Sequence, residues 1–161
     1  MLKIRNAAIK DLSEAVKVEH LCFSKEEAAT KESTEQRIRL IPDSYFVAEE
    51  NGVIIGLING PVIKTKFITD DLFKNIQENP AAGGHQSILG LAVDPKHQKR
   101  GIAASLLQHL EKEAAAKKRE TITLTCKENL ISFYEKHGYY NNGVSSSEHG
   151  GITWYNMSKK L

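Results

Sequence analysis

Ser87-Ile-Leu-Gly-Leu-Ala-Val93, closed by Asp94-Pro95, and then Gln98-Lys99-Arg100-Gly101-Ile102-Ala103 decide how this chain folds. The first run is short, apolar and ended by a turn pair, which predicts a buried strand. Beyond the second, Ala104-Ser-Leu-Leu-Gln-His-Leu-Glu-Lys-Glu-Ala114 continues a helix whose apolar positions are Ile102, Leu106, Leu107, Leu110 and Ala114. Residues 87–118 therefore read as strand, basic turn and helix. At such a turn the first helical N–H groups have no acceptor inside the helix, and the macrodipole adds partial positive charge. Gly101 and Ala103 have no bulk to hold a ligand off that backbone, while Lys96, Lys99 and Arg100 supply cationic charge. The pattern suits a diphosphate, and it equally describes an ordinary strand–helix junction beneath a solvated basic loop.

The 161 residues have room for one domain with a sizeable core, placed at 1–161. A formal net charge of +2 is too small to argue for nucleic acid, and the lysines are spread rather than bunched. Cys22 and Cys126 sit in apolar contexts and read as buried free thiols of a reducing compartment. No apolar run approaches membrane-spanning length and the first residues lack a signal-peptide pattern, so a cytoplasmic address is the expectation. His20, His97 and His109 have no metal-ligand spacing with carboxylates or thiols, and no metal is expected.

Along the chain, Met1 to Asn6 alternates as a strand, and Asp11 can cap a helix whose stripe starts at Leu12, Ala15 and Val16. Glu19 falls on that same apolar face. A second helix is predicted from Ser33 to about Ile41, with Ser33 and Gln36 at capping-box spacing. Two strands, Tyr45–Glu50 and Val53–Asn59, meet at Asn51-Gly52, a strong hairpin signal. Residues 61–86 read as a surface excursion able to act as a lid. A strand at Thr121–Cys126, a short helix at Asn129–Lys136 and a final antiparallel pair at Tyr139–Val144 and Ile152–Met157 complete an α/β order around one parallel crossover.

Gln98-x-x-Gly101-x-Ala103 after Leu-Ala-Val-Asp-Pro resembles the pyrophosphate loop of the GNAT acyl-CoA N-acetyltransferases. Phe133-Tyr134-Glu135-Lys136-His137-Gly138-Tyr139 resembles that family's closing motif, in which the tyrosine protonates the departing CoA sulfur. Leu21-Cys-Phe-Ser-x-x-Glu-Ala-Ala-Thr30, Ile58-Asn-Gly-Pro61, Leu124-Thr-Cys-Lys-Glu128 and Ser147-Glu-His-Gly-Gly-Ile-Thr-Trp-Tyr155 look like the arylalkylamine N-acetyltransferase-like subgroup. The resemblance implies a GNAT fold, a mixed sheet of about six or seven strands flanked by about four helices, with the strand–helix crossover of residues 87–118 at its centre. It implies acetyl-CoA as cosubstrate, a helical loop near residues 22–32 over the acceptor site, and a small-molecule primary amine as acceptor. A homodimer is compatible with it, though no segment marks an interface.

On this reading the main chain of Leu91, Ala92 and Val93 meets the pantetheine and the thioester carbonyl, and the loop Gln98, Lys99, Arg100, Gly101, Ile102, Ala103 and Ala104 holds the diphosphate. Tyr134 is the candidate acid, although by itself it is also an ordinary amphipathic core position. The subgroup's His-x-His bases correspond here to Ser87 and Leu89, which leaves His85, His149 or loss of the proton to water as sources of the free amine. Where relatives carry an Asn before the tyrosine this chain has Lys127, so the CoA-contacting amide falls to Asn129. Trp154 reads as packing or as a wall of the acceptor funnel. Neither cysteine sits at a helix start beside a base, which favours direct transfer over an acyl-enzyme. Acetylation of a protein or peptide amine, and a CoA-binding sensor without turnover, are the rival readings.

Overall fold

A computed structural model describes residues 1–73, 75–147 and 151–161. In chain order the elements are β1 (Leu2–Asn6), α1 (Leu12–Cys22), α2 (Lys31–Leu40), β2 (Tyr45–Glu50), β3 (Val53–Asn59), β4 (Val62–Ile63) and β5 (His85–Ile88). There follow β6 (Gly90–Val93), α3 (Ile102–Ala116), β7 (Thr121–Cys126), α4 (Ile131–Lys136), β8 (Tyr140–Val144) and β9 (Tyr155–Lys160). This is the α/β GNAT architecture, with a mixed sheet and four α-helices among the described residues.

The strand predicted as continuous over 87–93 is two strands. β6 pairs antiparallel with β3 and β5 pairs parallel with β7, so one sheet runs β1-β2-β3-β6 and the other β4-β5-β7-β9-β8. The break falls at Leu89, whose N–H donates 2.8 Å to the Asn59 carbonyl. Just before it, Ser87 Oγ donates to the Pro61 carbonyl at 2.6 Å and Gln86 Nε2 to the Gly60 carbonyl at 2.7 Å. Gly60-Pro61 ends the regular ladder of β3, and polar side chains of β5 take over its carbonyls. The two sheets part from this point and leave a wedge between β6 and β7. The break and the two-residue β4 raise the number of strands above the six or seven expected.

Alternation along β2 loads both faces of the first sheet. Phe46 and Ala48 join Ile102, Leu106, Leu107 and Leu110 of α3 on one side, while Tyr45 and Val47 join Ala15 and Val18 of α1 and Ile38 of α2 on the other. Each fully buried leucine of α3 contributes about 1.5–3 kcal/mol relative to exposure. Asn51 and Gly52 both have positive φ, 52° and 79°, as the expected tight hairpin requires.

α2 starts earlier than its spacing suggests. Thr30 is its cap, with Oγ1 accepting from the Ser33 N–H at 3.1 Å, and Ser33 lies inside the first turn. β9 begins at Tyr155 rather than Ile152. The 61–86 excursion is anchored by Asn79, which accepts from the Val62 N–H at 2.8 Å and donates to Ser44 Oγ at 2.8 Å.

Candidate active site

The turn before α3 is built on two left-handed residues, Lys99 (φ 66°) and Gly101 (φ 78°). Gly101 caps the helix without a side chain, and nothing lies within 4 Å of where a Cβ would stand. The first main-chain bond of α3 runs from the Ser105 N–H to the Gly101 carbonyl at 3.0 Å, so the N–H groups of Ile102, Ala103 and Ala104 have no intrahelical acceptor. No acidic residue occupies the first turn. An open glycine, orphaned donors and the positive end of a 15-residue helix fit a diphosphate.

A groove of about 500 Å³ runs from this turn along β6 to α4. Leu91, Val93, Gln98, Lys99, Gly101, Ile102, Ala103, Ala104 and Tyr134 line it, together with His97, Phe133 and His137. Because the Asp94 N–H donates to Ile55 O in the β3–β6 ladder, alternation turns the main-chain groups of Ala92 toward β3 and those of Leu91 and Val93 into the wedge. Val93 O accordingly accepts from Gln98 Nε2 at 3.1 Å and from Cys22 Sγ at 3.1 Å, which leaves the Leu91 N–H facing the opening. Ala92, expected to offer a donor to the cofactor, spends its own on the sheet.

At the far end of the groove a smaller cavity of about 80 Å³ opens between the sheets. Leu91, Leu130 and Tyr134 line both spaces. The inner cavity is walled by Phe23, Glu27, Phe73, Cys126 and Trp154, with Glu19 at its α1 side. Tyr134 is buried, packs edge-to-face on Phe133 and Tyr139, and desolvation raises its hydroxyl pKa above the ordinary phenol value. It therefore keeps its proton at neutral pH and can lend it to a leaving thiolate. Burial also pushes the Cys126 thiol up to about 11, so this residue is a thiol rather than a nucleophilic thiolate.

Three expected residues lie elsewhere. Arg100 turns its guanidinium out of the groove and grips both carboxylate oxygens of Glu50, at 3.0 and 2.5 Å. Asn129 lines a separate surface hollow with Lys127, Ile152 and Tyr155. His85 sits at the opposite end of β5, its Nδ1 2.8 Å from Thr121 Oγ1 and its Nε2 3.8 Å from a Glu120 oxygen. That is four residues, or about 13 Å of strand, from the break at Leu89. His149 lies outside the described residues. The turn at 24–28, where Glu27 and Ala28 N–H groups return to the Ser24 carbonyl at 3.0 and 2.8 Å, brings Phe23 and Glu27 over the inner cavity.

Glu19 is the residue that sequence reasoning passed over, though a carboxylate on an apolar stripe was its visible signal. It is 4% exposed, its Oε1 accepts from the Ala29 N–H at 3.1 Å, and burial raises its pKa against the pull of that hydrogen bond and of Arg37 and His20. Among the described residues no helix is long and apolar enough to cross a membrane.

The chain matches the acetyltransferase (GNAT) family over residues 10–139. The loading GNATL domain of CurA from Lyngbya majuscula shares its fold with a TM-score of 0.83 at 15% identity, covering 99% of this chain and 98% of that one. Naa50 of Arabidopsis thaliana, solved with the bisubstrate analogue CoA-Ac-MVNAL, gives 0.77 at 17% identity over 99% of both chains. The PaiA N-acetyltransferase of Thermoplasma acidophilum, solved with coenzyme A, gives 0.67 at 19% identity over 100% of this chain and 99% of that one. No curated protein matches. With the family match spanning the crossover, the helix-start cradle and Tyr134, this chain belongs to the GNAT family of acetyltransferases.

Proposed function

We propose that the protein transfers an acetyl group from acetyl-CoA directly to the primary amine of a small molecule, arylalkylamine- or polyamine-like, in a ternary complex. One observation carries this reading: Tyr134 borders both the groove below the α3 cradle and the inner cavity, so a thioester laid along β6 meets an acceptor at the tyrosine. The diphosphate is held by the free N–H groups of Ala103 and Ala104, with Lys99 at the rim. The Leu91 N–H receives the carbonyl oxygen as it becomes an oxyanion. Tyr134 protonates the departing sulfur. The raised thiol pKa of Cys126 supports attack by the amine itself rather than an acyl-enzyme.

The shape of the acceptor side supports a small amine. Phe23 and Glu27 from the α1–α2 turn and Phe73 from the 61–86 excursion cover the cavity, which leaves little room for an extended peptide. Phe23, Phe73 and Trp154 suit an apolar or aromatic tail, and Glu19 and Glu27 suit a cationic head.

Release of CoA with a panel of amines and an N-terminal peptide, measured for wild type and Tyr134→Phe, tests the reading. The expected result is turnover with small amines and a fall in kcat of about 100-fold in the variant, with acetyl-CoA affinity kept. Binding of acetyl-CoA without release by any acceptor would make the protein a sensor. Turnover with the peptide alone would make it a protein acetyltransferase.

A further inference from the structure

We propose that Glu19 is the group that receives the acceptor's ammonium and takes its proton, an assignment that rests on the acetyl-transfer reading above. Glu19 Oε1 is held by the Ala29 N–H at 3.1 Å, which leaves Oε2 as the working oxygen. A Cβ on Gly90 would stand 3.5 Å from that Oε2, so the carboxylate lies against the main chain at the start of β6. The next residue is Leu91, whose N–H faces the wedge. Base and oxyanion donor thus share the point where the sheets part, and Tyr134 faces them across the inner cavity.

The surroundings keep this carboxylate reactive. A buried carboxylate is normally paired or hydrogen-bonded on both oxygens. Here Arg37, buried on α2, acts on Glu19 through space and spends its NH1 on Asn59 Oδ1 at 3.1 Å. Tyr45 faces it from β2, its hydroxyl pKa raised by burial first and by Glu19 next, and so neutral. His20 and Cys22 flank it along α1, the thiol pushed up to about 11 by burial. Glu27, the second carboxylate of the cavity, is matched by Lys127 at 2.7 Å. An arriving ammonium therefore meets the open Oε2 of Glu19 at the point where the sheets part.

The step balances without a co-reactant. The ammonium gives one proton to Glu19, and the freed nitrogen lone pair forms the C–N bond at the thioester carbon. The C–S bond breaks, the sulfur takes the Tyr134 proton, and the tyrosinate recovers one from the attached nitrogen. Glu19 passes its proton to solvent, so amide, CoA and one proton leave.

Glu19→Gln, assayed with propylamine, putrescine and phenethylamine across pH, tests this. Acetyl-CoA affinity should stay within about twofold while kcat falls about 100-fold. The acid limb of the wild-type pH profile should vanish. In its place the rate should climb about tenfold per pH unit until the amine's own pKa, as free amine replaces ammonium. Should the Gln variant fail to bind acetyl-CoA, Glu19→Asp decides, because it should keep the acid limb at reduced kcat. Turnover and pH profile unchanged in Glu19→Gln, or an acid limb lost in an Asp variant that still binds acetyl-CoA, would overturn the assignment alone. Wild-type protein that binds acetyl-CoA and acetylates none of the amines would remove the acetyl-transfer reading and this one with it.

Discussion

Helix α1 carries two buried carboxylates, Asp11 at its N-cap position and Glu19 within it near its end, 3% and 4% exposed. Contrary to what its spacing suggests, the Asp11 side chain makes no capping hydrogen bond to the helix. Asp11 receives both terminal nitrogens of Arg5, at 2.8 and 2.9 Å, and the Ala8 N–H at 2.8 Å. Arg5 in turn reaches Glu49 at 2.8 Å, which ties β1, the α1 cap and β2 together. The Arg5 hydrogen bonds, above all, hold the Asp11 pKa below the ordinary carboxylate value. Glu19 has one main-chain donor, a guanidinium acting at a distance and an edge on a cavity, and burial moves its pKa the other way. Burial alone does not mark a working group. A carboxylate whose oxygens are saturated builds structure, and one left with an open oxygen at a cavity is available for chemistry.

Stability measurements should separate the two most sharply. Asp11→Asn removes charge-assisted bonds from a buried site and should lower unfolding stability by about 2 kcal/mol, read from urea melts. Glu19→Gln removes a charge that folding desolvates but also leaves the buried Arg37 without that carboxylate's compensation, so its melt at neutral pH should shift to lower urea by less than that of Asp11→Asn. Equal losses in both variants would erase the distinction.

A smaller effect lies in the pH dependence. For Asp11 the unfolded chain binds more protons between its depressed native pKa and the ordinary carboxylate value. Its contribution is complete above that ordinary value and is lost as pH falls through the native one. For Glu19 the native state holds the proton longer, so stability falls as pH rises from the ordinary value through the raised one. Melts from acid to neutral pH should lose the first slope in Asp11→Asn and the second in Glu19→Gln. The finest test concerns Arg37, whose charge restrains the rise at Glu19. Arg37→Gln should move the acid limb of turnover to higher pH, and a limb moving downward would contradict the pairing.

What the residues disclosed on their own follows the same division between local and distant physics. The Asn51-Gly52 turn, the α3 stripe and the helix-start cradle are written in adjacent residues, and the structure carries each of them. The break at Leu89 was hidden, because an apolar run with one Gly reads as continuous and its cause, Gly60-Pro61, sits on a different strand. Arg100 looked like a phosphate ligand because its partner Glu50 lies on β2, 50 residues away in sequence. Glu19 showed only a mismatch with its stripe, since the cavity that gives the mismatch a purpose is closed by residues from five separate segments of the chain.

The central claim is that free main-chain donors at the start of α3 and on β6 hold the CoA diphosphate and thioester. Titrating nitrogen-labelled protein with acetyl-CoA and following its amide resonances tests this directly. The account predicts large shifts at Gly101, Ala103, Ala104 and Leu91, with the Ala8 amide, capped by Asp11, unmoved. Saturable binding that leaves the α3 and β6 amides in place would contradict it.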